Sequence, residues 1–259
     1  MLRRGQRREE DAFLLEGTRA LSDAVEAGAP IEELFVADEL AQDPLVERAM
    51  SIGATVYMVG WPIVKAISDS VSPQGMIGVV ASPLRSLADI SVRSGLLIVL
   101  EGVSDPGNVG TLIRTAAAAD ADGVIIAEGS ADPLNPKTAR ASAAALFATT
   151  LVADVPVLEA LERARSLGYS LVGADSSGPT SIYDSDLTGP IAVVLGNESW
   201  GLPQDRPASL DRLLSIPMPG KVESLNVATA GSIFIFEALR QRRAQGLSTV
   251  SSGPKGGLS

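Results

Sequence analysis

The sequence predicts an α/β protein in which a small leading α/β module precedes a larger domain built on a parallel sheet. Three observations carry this. From Leu96 onward, apolar runs of strand length alternate with segments of helical length, the pattern of parallel strands joined by crossover helices. The runs Leu96–Leu100 and Ile191–Leu195 (LLIVL and IAVVL) are continuously apolar, as expected of strands covered on both faces. Between the leading module and Leu96, residues 82–95 (SPLRSLADISVRSG) lose the apolar rhythm and read as a connecting segment.

Each element has a local reason. Residues 9–28 read as an amphipathic helix ending at Gly28, a favoured helix stop. A strand is expected at Leu34–Ala37, then a helix over 43–52 with Pro44 in its first turn. Thr55–Val59 is a second strand, 62–69 a short helix and Met76–Ala81 a third strand. In the larger part, LLIVLEG passes through the turn GVSDPGNVG into an Ala-rich helix, TLIRTAAAADA. Then come the strand GVIIAEG, a helix over 135–147, a short strand Thr149–Ala153, a helix over 156–167 and a strand Tyr169–Ala174. GPIAVVLGNE adds a strand and loop. An apolar strand, Leu214–Ile216, then enters a loop stiffened by Pro217 and Pro219 and freed by Gly220; Ser224 opens a long apolar helix as its N-cap. The Gly/Ser-rich end, QGLSTVSSGPKGGLS, is expected to be disordered. The chain therefore divides into 1–84, a linker over 85–94, a larger domain over 95–245 and a tail over 246–259.

Composition excludes much chemistry. The 259 residues include no cysteine and no histidine. Disulfides, thiol nucleophiles and thiolate metal sites are ruled out, as are the commonest general base and metal ligand. The basic start MLRRGQRREED has no apolar run behind it, so no signal peptide is expected. No window approaches the ~18 apolar residues of a membrane span, and the expected location is the cytoplasm. A net charge of −10 argues against broad charge-driven binding of nucleic acid, since phosphate affinity comes mainly from Lys and Arg. Two local basic clusters remain, Arg3, Arg4, Arg7 and Arg8, and Lys137 with Arg140; the plainer reading of each is a solvated surface.

Three candidate sites fall at the ends of expected strands, where α/β sheets bind ligands. In Glu101–Arg114, Gly102, Gly107 and Gly110 suggest a phosphate-binding turn, but neither the dinucleotide fingerprint nor a Walker lysine is present. Asn108 is placed to cap the following helix, and Thr111, Arg114 and Thr115 share one face of it. An arginine there is costly unless it is paired or lines a cavity; otherwise it snorkels to the surface. In residues 191–202, a buried strand ends in Gly196, Asn197 and Glu198, with Gly201 close behind. Glu198 could pair with Arg114, and Trp200 could anchor an interface. The third site is the loop 214–226 with its polar Ser224 and Asn226. Each alone could be an ordinary turn with a helix cap; three at one sheet edge indicate a site.

Together NVGTLIRTAAAADADGVII (108–126), VVLGNESWGL (193–202) and IPMPGKVESLNVATAGSIFIFEA (216–238) resemble, in order and spacing, the three motifs of the SpoU-type RNA 2′-O-ribose methyltransferases. The leading module, with FLLEGTRALSDAVEAG, resembles the L30e-like RNA-binding domain that precedes the catalytic domain in many members. The resemblance spans residues 9–243. It implies a SPOUT catalytic domain closed by a deep trefoil knot, binding S-adenosylmethionine in a bent form. Leu195, Gly196 and Asn197 would enter the cofactor pocket, Ile216 and Met218 would offer backbone contacts, and Ser224, Leu225 and Asn226 would complete its floor. Such enzymes are homodimers, with Arg114 completing the partner's active site. Arg114, Asn108, Glu198, Ser224 and Asn226 are the implied catalytic group, Asn108 and Glu198 positioning Arg114. No metal is implied.

The implied reaction is attack by a ribose 2′-hydroxyl on the sulfonium methyl. The two-part layout favours rRNA, 23S rRNA above all, over tRNA as substrate. An RNA-binding or ribosome-assembly protein without catalysis is the reading from another class, and the intact polar set argues against it. The acidic chain implies that Arg3–Arg8, Lys137 and Arg140 gather near the RNA path.

Overall fold

A computed structural model describes residues 11–246, other than 69, 71 and 223. Arg3, Arg4, Arg7 and Arg8 and the tail from residue 247 lie outside the described residues. The leading module comprises β1 (Ala12–Glu16), α1 (Thr18–Glu26), β2 (Ile31–Ala37), α2 (Pro44–Ser51), β3 (Thr55–Val59), α3 (Trp61–Ile67) and β4 (Met76–Ala81). Its four strands form a sheet in the order β1-β4-β2-β3.

The expected helix over 9–28 is half wrong. AFLLE forms β1, which pairs antiparallel with β4 from Ala12↔Ala81 to Glu16↔Ile77 and buries Phe13 and Leu15. Gly17, at φ +104°, turns the chain into α1, a conformation that costs glycine little. Residues 9 and 10 of the expected helix lie outside the described residues, and of the rest only Thr18–Glu26 is helical. Elsewhere in the module local signals hold, with Asp43 capping α2 ahead of Pro44.

The larger part contains β5 (Leu96–Leu100), α4 (Pro106–Ala118), β6 (Gly123–Ala127), α5 (Pro136–Ser142), β7 (Leu151–Val155), α6 (Val157–Ser166), β8 (Ser170–Ala174), β9 (Thr180–Ser181), β10 (Ile191–Leu195), β11 (Arg212–Ser215) and α7 (Val227–Ala244). Its seven strands lie in the order β7-β6-β5-β10-β8-β11-β9, and every pairing is parallel. All C-terminal strand ends therefore share one edge. The expected helix over 135–147 stops at Ser142, because Ala143 takes φ +49°, and a 3-10 turn follows. The next strand begins at Leu151 rather than Thr149.

Both continuous apolar runs are buried along their whole length, and residue parity separates their faces. Leu96, Ile98 and Leu100 pack with Leu112 of α4 and Phe234 of α7, in a core that runs on into the leading module through Phe13. Leu97 and Val99 pack with Ala160 and Leu161 of α6. Phe13 stacks on Phe147 at 6.3 Å, so aromatic contact joins the two parts.

Arg242, 4% exposed, ties the end of α7 to the rest. It donates to the carbonyls of Leu187 (3.2 Å), Ser94 (3.2 Å), Gly95 (2.8 Å) and Gly189 (2.8 Å), just ahead of β10 and β5. Among the described residues, no helix is long and apolar enough to cross a membrane.

Candidate functional site

Three segments leave the C-terminal sheet edge and meet there: 101–114 after β5, 196–202 after β10 and 216–226 after β11. Glu101 is buried against Arg206, whose Nε donates to both carboxylate oxygens (3.0 and 2.8 Å) and whose Nη2 donates to Oε1 (2.8 Å). The carboxylate holds the Arg206 pKa above the ordinary arginine value. This pair, 105 residues apart in sequence, fastens the start of the first segment to the stretch behind the second.

The cap of α4 is Asp105, not Asn108. Pro106 opens the helix, and the Asp105 carboxylate accepts the Asn108 N–H (3.1 Å). Asn108 lies one turn inside, which frees its side chain for a different task. Its Nδ2 donates to Glu198 Oε1 (3.0 Å), and its Oδ1 accepts from Asn226 Nδ2 (3.0 Å). Glu198, Asn108 and Asn226 thus form one chain of side-chain bonds through all three segments. Lys137 bonds Asp105 at 2.7 Å, which places one of the two expected basic residues at this junction and holds the Asp105 carboxyl below its usual range.

Glu198 does not pair with Arg114. It accepts from the Ser104 N–H (3.1 Å), the Ser104 hydroxyl (2.9 Å), the Asp105 N–H (2.9 Å) and Asn108. Burial alone would raise its pKa, but the Asn108 amide and the Asp105 and Ser104 N–H groups outweigh it and hold the carboxyl at about 2. Arg114 is exposed on α4, and its side chain makes no hydrogen bond or ion pair with any described residue. Both arrangements follow from helix geometry: Asn108 is near the start of α4, where it faces the second segment, and Arg114 is well along it.

The second segment is a tight hairpin. Asn197 and Gly201 exchange N–H···O bonds (2.9 and 3.0 Å), Asn197 Oδ1 accepts the Ser199 N–H (2.8 Å), and Asn197 Nδ2 reaches Gly102 O (2.8 Å). A Cβ on Gly196 would stand 2.3 Å from the Gly201 backbone, so only glycine fits. Gly110 serves packing rather than phosphate: a Cβ there would lie 2.6 Å from the Thr138 carbonyl of α5.

In the third segment Ser224 is not the N-cap. Asn226 caps α7, its Oδ1 accepting from Ala228 N (2.9 Å) and Thr229 N (3.2 Å). Residues 216–222, 224 and 225 make no hydrogen bond with another described residue. Their backbone donors and acceptors are open to a ligand.

Between these loops lies a cavity of about 320 Å³. Leu195, Gly196, Asn197, Glu198, Ile216, Met218, Ser224 and Leu225 line it; Asn108, Arg114 and Asn226 do not. The sequence reading missed one wall, Ala174–Ser176 at the end of β8, and the floor contributed by Ala230 and Phe234 of α7. The first carried a usable signal, since an apolar strand there breaks into the polar turn Asp175–Ser177 at the same edge. A mixed cavity with unspent backbone groups on one side suits a ligand with a flat heteroaromatic ring and polar substituents.

Comparison with known proteins matches residues 95–236 to the SpoU rRNA Methylase family and residues 1–78 to the MRM3-like substrate binding domain. The 23S rRNA (uridine(2479)-2′-O)-methyltransferase of Streptomyces viridochromogenes is 34% identical over 248 residues, covering 92% of this chain and 86% of that protein. The 23S rRNA (guanosine-2′-O-)-methyltransferase RlmB of Xylella fastidiosa (strain 9a5c) is 34% identical over 203 residues, covering 76% and 82%. The crystal structure of the SpoU methyltransferase AviRb from Streptomyces viridochromogenes, in complex with the cofactor AdoMet, aligns with TM-score 0.84 at 31% identity over 93% of this chain and 94% of that one.

Proposed function

The chain belongs to the SpoU rRNA methylase family, and on that premise we propose that it is an S-adenosylmethionine-dependent methyltransferase acting on ribose 2′-hydroxyls of 23S rRNA. The observation that carries this reading is the bond chain Glu198–Asn108–Asn226, which draws the three motif segments around one cavity. Leu195, Gly196 and Asn197 form its prebuilt wall. Ile216, Met218 and Leu225, with their unbonded backbone, offer donors and acceptors to adenine and ribose; Ser224 lines the cavity beside them, and Asn226, outside the lining, holds the end of this loop through its bond to Asn108. The fit is chemical as well as spatial, since Leu214, Val227 and Phe234 supply an apolar surface for a flat ring.

S-Adenosylmethionine supplies a methyl already activated by the sulfonium. The chain's own residues have to hold the ribose hydroxyl in line and help it lose its proton. Arg114 is the group proposed to do this. Arginine stays protonated in proteins, so its fixed charge lowers the hydroxyl pKa and binds the neighbouring phosphate, while the proton released as the methyl passes from sulfur to oxygen goes to solvent water. Arg114 is exposed, unpaired and outside its own cavity, which supports a homodimer in which it serves the partner's. Asn108 and Glu198 then act as positioning residues for the cavity walls rather than for Arg114.

The same proposal assigns RNA capture to the module over 1–84, a linker role to 85–94, catalysis to 95–245 and a tail to 246–259, with the cytoplasm as the place of action. It includes a trefoil knot through the second and third segments. Arg114→Ala tests the central claim. It is expected to abolish methyl transfer to 23S rRNA while S-adenosylhomocysteine still binds in isothermal titration to a dimer of unchanged mass. Unchanged turnover would remove Arg114 from the reaction, and a wild-type protein that fails to bind S-adenosylhomocysteine would overturn the methyltransferase reading.

A further inference from the structure

Among the described large apolar side chains, Trp200 is the most exposed, at 71%. An indole of that size is usually buried, so its position in water asks for a partner. It lies on the rim of the cavity, in the hairpin between Asn197 and Gly201. That hairpin is not loose. Its ends exchange two backbone bonds, and the adjacent Glu198 is fastened to Ser104, Asp105 and Asn108. The exposed ring is therefore held out on a rigid support, a pre-organised surface rather than a wandering side chain.

What reaches this rim follows from the reaction. A 2′-hydroxyl presented to the cavity brings its own base, attached to the adjoining ribose carbon, and the flanking bases with it. The rim also carries Asp175 and the ionised Glu198, which repel phosphate. Stacking on an aromatic face does not depend on favourable charge and serves single-stranded RNA widely.

We propose that Trp200 is a stacking platform for a nucleobase at or beside the methylated ribose. It thereby selects unpaired, unstacked nucleotides for entry. This inference rests on the methyltransferase reading.

The test uses the full-length Trp61→Phe protein, in which Trp200 is the remaining tryptophan, titrated with oligouridylate and oligoadenylate. Saturable quenching by RNA is expected. Adding Trp200→Ala should weaken RNA binding about tenfold, with Trp200→Phe retaining most of it. The slope of log affinity against log salt should not change, because no phosphate contact is lost. S-adenosylhomocysteine affinity should also stay at the wild-type value. Quenching by S-adenosylhomocysteine but not by either RNA, absence of quenching by both RNAs, or the blue-shifted emission of a buried indole in the free protein would each overturn the inference. Wild-type kcat/KM in Trp200→Ala, with S-adenosylhomocysteine still binding, sinks Trp200 alone; loss of that binding in the parent protein sinks the underlying reading instead.

Discussion

Two of the loops that wall the cavity, those after β10 and β11, are held in opposite ways. The loop after β10 spends its polar groups on the protein: Asn197, Gly201, Ser199 and Glu198 all bond within it or to the start of α4. The loop after β11 spends almost none until Asn226, although it lines the same space. One wall is finished by folding, and the other is left to be finished by what binds. Changes to the first should therefore register in stability, and changes to the second in affinity.

The largest expected effect is at the base of the first wall. Arg206→Ala leaves Glu101 buried without its cation, and a loss of about 3–5 kcal/mol in urea unfolding is expected. A loss below about 1 kcal/mol would mean that the pair does not brace this wall.

A smaller effect, with a pH signature, belongs to Glu198. Its folded pKa, about 2, lies below the ordinary 4.5, so the stabilisation is complete above 4.5 and fades as pH falls toward 2. The side chain is exposed, and water screens its bonds to about 1 kcal/mol. Glu198→Gln should differ from wild type by that amount near pH 7, with the gap closing between about pH 4.5 and 2; a gap independent of pH would break the assignment.

Smallest in stability is Ser224→Ala in the second wall. Unfolding should move by less than about 0.5 kcal/mol, because Ser224 is exposed and bonds no described residue. S-Adenosylhomocysteine affinity should drop on the order of fivefold, the worth of one hydrogen bond. A stability loss without an affinity loss would invert the comparison.

What the sequence made legible follows the same division. The parallel sheet and its three strand-end segments could be read because LLIVL and IAVVL are buried on both faces and end in glycine- or proline-bearing turns. Features set by distant partners could not. AFLLE is apolar enough for either state and becomes a strand only by pairing with residues 76–81. Asn108 suits a cap by type, yet Asp105 and Pro106 claim the helix start and send its amide to Glu198, 90 residues away. Glu101 and Arg206 look like two unrelated charges until the fold closes them together. The break at Ala143 has no residue-type signal, since alanine is a strong helix former.

Glu198 is held by neutral donors alone among the described residues, so its charge is ordered but not cancelled. A cavity with that fixed negative charge on its lining discriminates between what enters and what is left after transfer. The sulfonium donor is a cation and gains from the field; the thioether product has lost that charge and gains nothing.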